Sequence, residues 1–420
     1  MIKTREELIY LLTQAAELEH LLVCQYLYTA FSAKRSEKEN LTPQQMNAVD
    51  EWGQLLLLIA RQEMEHLGLV NNILTSIGSM PHFERPNFPN TGNYYPFPLV
   101  LQKLDLETIK RFVCVEKPEN VVSTLCPEHQ EGQTTSDVLS NISYDSIAEL
   151  YAILKEGFEK FPLSDEELFI GPPSAQVGGA ELDLNFGRIG AEGGVYDVTL
   201  FPVYDRASAL EAIKLITEQG EGTPTLSSEP SHYKRFLEIY EELKKLQEED
   251  PAFEPARNVV MNPKSYAHSD TLGGTLITDP RTREVMAFFN SSYELMLMML
   301  IRFYAHTDET PEEIKTLKFA AFFPFMTMII RPLGEMLTRM PAFVDQPDGP
   351  RAGAGFELSS VLAFLPHKKA AWTVLAERMT TLTFEMSQAG KRKNAPEGLD
   401  YIAESMALIN KQFSKNLLKK

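Results

Sequence analysis

The sequence predicts a mostly α protein built on a bundle of long helices, and three observations predict it. Apolar residues recur at three- and four-residue spacing over most of the chain. The runs begin at capping residues or prolines and end at glycine. Only one stretch, Val195 to Val203, reads as a strand.

The first helix is predicted from residue 4 to about 33. Thr4 caps it, and Leu8, Leu11, Leu12, Ala15, Leu18, Leu22 and Tyr26 form its stripe. Polar residues 32–40 lead to Thr42-Pro43, an N-cap followed by proline at the first helical position. A second helix then runs to about Ile77 and stops at Gly78, with Pro81 beyond. Two long helices joined by a short connection begin an antiparallel bundle. Residues 81–100, rich in proline, asparagine and aromatics, read as a surface crossing.

A helix is predicted from about Asp105 to Glu116. Another opens at Ser136-Asp137 and runs to about Phe161. Residues 162–205 hold seven glycines and four prolines, and so long a connection in a compact domain is often functional. Helical pattern returns at 207–219, breaks at Gly220 to Pro224, and resumes at 231–249. The remaining helices are expected at 279–306, 311–340, 366–389 and 396–418, with Pro324 and Pro332 kinking or breaking the second of these. This divides the chain into a bundle at 1–250, a linker at 251–278 and a helical extension at 279–420.

The 420 residues carry 58 Asp and Glu against 40 Lys and Arg, a formal charge of −18. Such an acid excess argues against a nucleic-acid partner or an anionic membrane surface, both of which call for a basic face. Cys24, Cys114 and Cys126 fit neither a zinc motif nor a disulfide framework, and Cys24, in an apolar helical run, reads as a buried free thiol. The N-terminus has no signal-peptide pattern, and charges between Ser292 and Ile330 interrupt the most apolar stretch. The expectation is a soluble, cytoplasmic protein. The glycine-rich run 349–355 lacks the Lys-Ser/Thr of a phosphate loop.

The chemistry is concentrated in carboxylates and histidines on helices. Glu63 and His66, three residues apart, share a helix face and can reach one metal ion together. Glu19 lies near the stripe of Ala15, Leu22 and Tyr26, where a lone carboxylate is costly unless paired or bound to metal. Glu149 is offered by the helix ending near Phe161, with Glu156 as its competitor. Glu218, Glu221, Glu229 and His232 cluster around the break after residue 219. Mixed carboxylate and imidazole ligands of this kind suit a pair of divalent ions. His20, about 100° from Glu19 around the helix, reads as a supporting or surface residue, and His82, His129 and His268 as loop residues in solvent. His306 reads as a core or helix-end histidine. Tyr26, Tyr151 and the methionines at 296, 298, 299, 326 and 328 read as core, the methionines alternatively as the lining of an apolar cavity. Arg61, Arg302 and Arg331 are candidate carboxylate clamps.

The strings LEHLLVCQYLYTAF, IARQEMEHLGLVNNILTSIGSMPHF, ITEQGEG and SHYKRFLEIY resemble the ferritin-like domain of iminophenyl-pyruvate dimer synthases and their relatives in violacein and rebeccamycin-type pathways. The resemblance covers residues 4 to 250. The C-terminal third, including MTMIIRPLGEML, looks like the helical extension of those proteins.

The resemblance implies a ferritin-like four-helix bundle in which Glu19, Glu63 and His66 are metal ligands, with a third-helix carboxylate and a fourth-helix Glu-x-x-His. The sequence departs from that pattern at the last element. Glu218 and His232 are separated by Gly220, Gly222, Pro224 and Pro230, and an interrupted fourth helix is the preferred explanation. Glu229-Pro230-Ser231-His232 is formally Glu-x-x-His, with Ser231 an equally good cap. For the third-helix place Glu149 stands against Glu156 or no ligand at all, and Glu149, Glu221 and Glu229 are the candidates that would complete the set.

The implied function is a non-haem dimetal oxidoreductase, with two irons or manganeses, that activates dioxygen or peroxide. Its substrate would be a small molecule of the amino- or imino-acid class, oxidised or coupled in secondary metabolism; the aromatic crossing at 83–97 and the loop at 162–205 would form a lid. The alternative is a non-catalytic ferritin-like protein that binds metal or a partner, including a second copy of itself. Haem is less favoured, since no Cys-x-x-Cys-His is present.

Overall fold

The computed structural model describes residues 2–90, 99–119, 121–126, 144, 146–178, 199–220, 230–266, 273–305, 308–359, 362 and 364–417. Helices dominate them. α1 (Arg5–Ser32) and α2 (Pro43–Ser76) form the long hairpin expected. Each begins at a capping box, Thr4 with Glu7 and Thr42 with Gln45, a device worth about 1 kcal/mol at a helix end. Every residue of α1 from Leu18 to Ser32 is buried. A helix covered on all sides is central to its fold, and α1 accordingly has neighbours on both faces.

On one face lie α3 (Leu106–Val115), α4 (Ile147–Glu159), α5 (Arg206–Gly220) and α6 (His232–Glu249). α3 pairs with α6, and α4 pairs with α5. Two expectations are corrected here. Ser146 caps α4 and Tyr144 is not helical, so the helix starts later than Ser136-Asp137 suggests. The segments before and after residues 221–229 pack mainly on different partners, so they are separate helices and not one interrupted helix. Ser231, whose side chain accepts from the Lys234 N–H, is the cap of α6.

On the other face lie α7 (Pro280–Tyr304), α8 (Pro311–Ala321) and α9 (Arg331–Leu337). α10 (Lys368–Gly390) and α11 (Leu399–Leu417) close the molecule as a pair. The predicted helix 311–340 is broken where Pro324 removes an N–H. Phe322 leaves helical geometry at ψ −115°, and Met326–Ile330 forms a π-helical turn before α9. Two small strand pairs are present among the described residues. β1 (Pro263–Lys264) runs parallel to β2 (Thr275–Leu276), and β3 (Pro341–Phe343) antiparallel to β4 (Gln346–Arg351). Of the predicted strand Val195 to Val203, residues 199–203 are described and are not in a strand.

Pro280–Tyr304 and Pro311–Leu337 each hold an 18-residue window of mean hydropathy 1.2 with at most two charged residues, long and apolar enough by composition to cross a membrane. Of those windows 78% and 53% are buried inside the protein. Cys114 and Cys126 form a disulfide across 12 residues, which the spacing alone does not reveal. Cys24 is free and buried, as expected.

Candidate metal centre

The bundle face of α1 and α2 collects acidic and imidazole side chains from four helices. Glu19 comes from α1, and Glu63 and His66 from α2. Glu116 comes from the C-cap of α3 and His232 from the first residue of α6. All five are at most 4% exposed. They form two donor groups, Glu19–Glu63–His66 and Glu63–Glu116–His232, each with its ligand atoms within 4.8 Å of one another.

Glu63 belongs to both groups. Its Oε2 lies 2.8 Å from His66 Nδ1 and its Oε1 lies 2.8 Å from His232 Nδ1. His66 Nδ1 is also 3.6 Å from Glu19 Oε2, and His232 Nδ1 is 4.0 Å from Glu116 Oε2. The far nitrogens are anchored in the same way on both rings. His66 Nε2 donates to Gln219 Oε1 at 2.9 Å, and His232 Nε2 to Gln62 Oε1 at 3.2 Å. An acceptor on Nε2 directs Nδ1 of each ring toward the carboxylates, an orientation that metal-binding histidines adopt. Tyr151 donates to Glu19 Oε1, and Tyr26 to Glu116 Oε1.

Three atoms of this group, Glu19 Oε2, Glu63 Oε1 and His232 Nδ1, are buried without a hydrogen-bond partner. Leaving such atoms unsatisfied is expensive, and their convergence on common points fits a cation. The 2.8 Å approach of His232 Nδ1 to Glu63 Oε1 lacks hydrogen-bond alignment, an arrangement suited to two ligands of one ion.

A ferritin-like family model matches residues 12–241. The chain belongs to the ferritin-like family. Among its relatives, dichlorochromopyrrolate synthase of Lentzea aerocolonigenes is 31% identical over 91% of this chain and 39% of its own length. The 2-imino-3-(indol-3-yl)propanoate dimerase of Chromobacterium violaceum is 28% identical over 81% of this chain and 33% of its own. The chain thus spans well under half the length of either relative. A ferritin-like protein of Caulobacter vibrioides is similar in structure at a TM-score of 0.43 and 20% identity, over 74% of this chain and 90% of that one. The resemblance to the iminophenyl-pyruvate dimer synthase group agrees with these relatives.

In ferritin-like carboxylate proteins, two helices each give a Glu and two each give a Glu-x-x-His. Glu19 and Glu116 each stand alone among the donors on their helices, as the first pair of that pattern does, and Glu63 with His66 has the Glu-x-x-His spacing. His232 is the histidine on the fourth helix. Glu229, three residues before it, and Glu221 lie outside the described residues, as do His129, His268 and His306.

Two candidates are not brought to the group. Glu149 stands half-buried in the first turn of α4, where its N–H bonds the Ser146 cap and its charge suits the helix end. Glu218 is half-buried near the end of α5, 3.7 Å from Lys214. One residue on, 100° around the helix, Gln219 takes the inward direction.

Glu116 was missed. It continues the stripe of Ile109, Phe112 and Val113 at helical spacing, a signal obscured by its place before Lys117-Pro118. Gly220 makes room for it, since a Cβ there would stand 3.3 Å from Glu116 Oε2.

The electrostatics divide the carboxylates. Burial and the Glu63 charge push Glu19 up to about 8 and push Glu116 well above the ordinary carboxylate range. Burial pushes Glu63 the same way, but His66 and His232 together hold it well below that range. Against burial, Glu63 and Glu19 pull His66 well above its ordinary value, whereas burial wins at His232 and lowers it. One bridging carboxylate stays ionised while its neighbours hold protons that a cation would displace.

Proposed function

We propose that this ferritin-like chain is a non-haem dimetal oxidoreductase acting on an aromatic amino or imino acid. The observation that carries it is the shared Glu63, with one oxygen facing each histidine. Glu19 and His66 would hold one ion, Glu116 and His232 the other, and Glu63 both. Glu229 is a further candidate by its spacing from His232. When bound, a redox-active pair supplies electron transfer between substrate and dioxygen or peroxide. Iron is the first choice, and manganese accepts the same donors.

The chain's own residues prepare that chemistry. Gln219 and Gln62 set the imidazole orientations, and Tyr151 and Tyr26 hold the outer carboxylates by hydrogen bonds. Leu22, Val115, Ile147 and Ile216 line the small space beside the donors, about 20 Å³, which suits a molecule no larger than water or dioxygen. The same reading takes residues 1–250 as the metal-holding unit, 251–278 as a linker and 279–420 as a helical extension.

The name of the Chromobacterium violaceum relative, a dimerase of an indolyl 2-imino acid, directs the substrate choice toward aromatic imino acids that are coupled. Joining two such molecules carbon to carbon removes two electrons and two protons, which dioxygen takes up as hydrogen peroxide. The test is to supply metal-loaded protein with phenyl- and indolyl-substituted 2-imino acids generated in solution. Oxygen uptake and dimer formation by mass spectrometry are then followed. Dimer in proportion to oxygen consumed supports the proposal. Bound metal with neither product nor oxygen uptake selects the non-catalytic metal-binding alternative.

A further inference from the structure

A second cavity lies on the opposite face of α1 and α2. It measures about 530 Å³, within the range of roughly 300–1,000 Å³ typical of small-molecule sites, and shares no lining residue with the space at the acidic group. Leu27, Phe31, Met64, Met296, Leu297 and Leu300 form much of its apolar wall. Its outer rim includes exposed Gln54 and Arg331 and the π-helical turn at Met326–Ile330, a backbone irregularity that recurs at functional sites. Its inner end is closed by His20, Tyr293 and Tyr304, each 2% exposed.

That inner end is polar, and among the described residues its cation has no carboxylate paired with it. His20 Nε2 and the Tyr293 hydroxyl are hydrogen-bonded, and Cys24 Sγ lies 3.2 Å from the same hydroxyl. Behind them Arg85, 4% exposed, sets its guanidinium carbon 5.7 Å from the Tyr293 ring centre. Arg85 donates to the carbonyls of Pro86 and Phe356, and its Nε has no partner. His20 Nδ1 likewise lacks a hydrogen-bond partner. A buried cation without a paired carboxylate is costly, and an anionic group would suit this end.

We propose that this cavity binds an aromatic carboxylate, with its rings among the apolar side chains and its carboxylate at His20 and Tyr293, in the field of Arg85. Multiple rings fit the volume, and the methionines supply adaptable, polarisable contacts to them. Because α1 and α2 stand between the cavity and the acidic group, the proposal does not rest on the redox reading.

The test titrates the full chain, with its methionine methyl groups labelled, against two probes of matched shape, indole-3-acetate and the neutral indole-3-acetamide. Met64, Met296 and Met326 line the cavity, whereas Met286 and Met379 are buried elsewhere. The acetate is expected to shift the first three methyl signals saturably and leave the other two in place, with the amide at least ten times weaker. Arg85→Met is expected to bring the acetate down to the affinity of the amide. Equal binding of the two probes by the wild-type chain, shifts confined to other methionines, or no shift at millimolar probe overturns the proposal. The wild-type comparison decides the matter even if Arg85→Met fails to fold.

Discussion

Glu19 and His20 are consecutive on α1 and face different sites, about 100° apart around the helix. Glu19 meets His66 and Tyr151 in the acidic group, whereas His20 meets Tyr293 of α7 at the end of the large cavity. Both are 2% exposed. The helical bundle and the C-terminal helices share α1 as a common wall, with a separate chemistry on each side.

The glutamine anchors predict a graded loss. Gln219→Leu and Gln62→Leu each remove the acceptor that orients one imidazole, and such supports are worth about 10–100-fold in metal affinity. Each variant is expected to weaken metal retention by that order in a competition with a chelator while helix content stays unchanged. Wild-type retention in both would remove the glutamines from the site.

The paired comparison of Glu116 and Glu149 separates geometry from sequence expectation. Glu116→Ala is expected to lose at least one ion per chain, and Glu149→Ala to keep full stoichiometry, because Glu149 stands half-buried at the start of α4 outside the donor group. Elemental analysis of the two purified variants is the check. The reverse outcome would restore Glu149 as the third-helix ligand.

Stability of the metal-free protein should fall as pH rises from 6.5 to about 8. Burial and Glu63 raise Glu19 to about 8, and Glu63 holds His66 above 6.5 despite burial. In that window the folded state binds more protons than the unfolded chain, so the slope is negative, up to about 1.4 kcal/mol per pH unit for each proton. Metal replaces those protons, so the gain in Tm on adding metal should grow over the same range. Thermal melts with and without metal at four pH values test this; a flat or rising metal-free Tm would contradict it.

The disulfide predicts one free thiol. Unfolded without reductant, the chain should react with one equivalent of a thiol reagent, at Cys24, and after reduction with three. Three equivalents before reduction would show Cys114 and Cys126 unpaired.

The parts legible in the sequence were those set by local periodicity and capping. Thr4, Thr42-Pro43 and the Glu63–His66 spacing located α1, α2 and their inward carboxylates because these signals act within one or two helical turns. Glu116 and Gln219 were not legible, since their roles depend on which helices pair, and that is decided by contacts between α3 and α6 and between α4 and α5. His20 was misjudged as a supporting or surface residue for the same reason. A residue 100° from Glu19 faces outward on an ordinary bundle helix, but on α1 the outward side is covered by the C-terminal helices. Met296 and Met326 do line a cavity, the alternative role raised for the methionines, whereas Met299 packs in the core.

The central claim is a two-ion site bridged by Glu63, and metal content per chain tests it most directly. Protein purified without added metal or chelator, then reconstituted with Fe(II) without oxygen, is analysed by elemental mass spectrometry beside Glu63→Ala. The account predicts two ions per wild-type chain and loss of both in the variant. No transition metal in the reconstituted wild type, or two ions retained by Glu63→Ala, would contradict it.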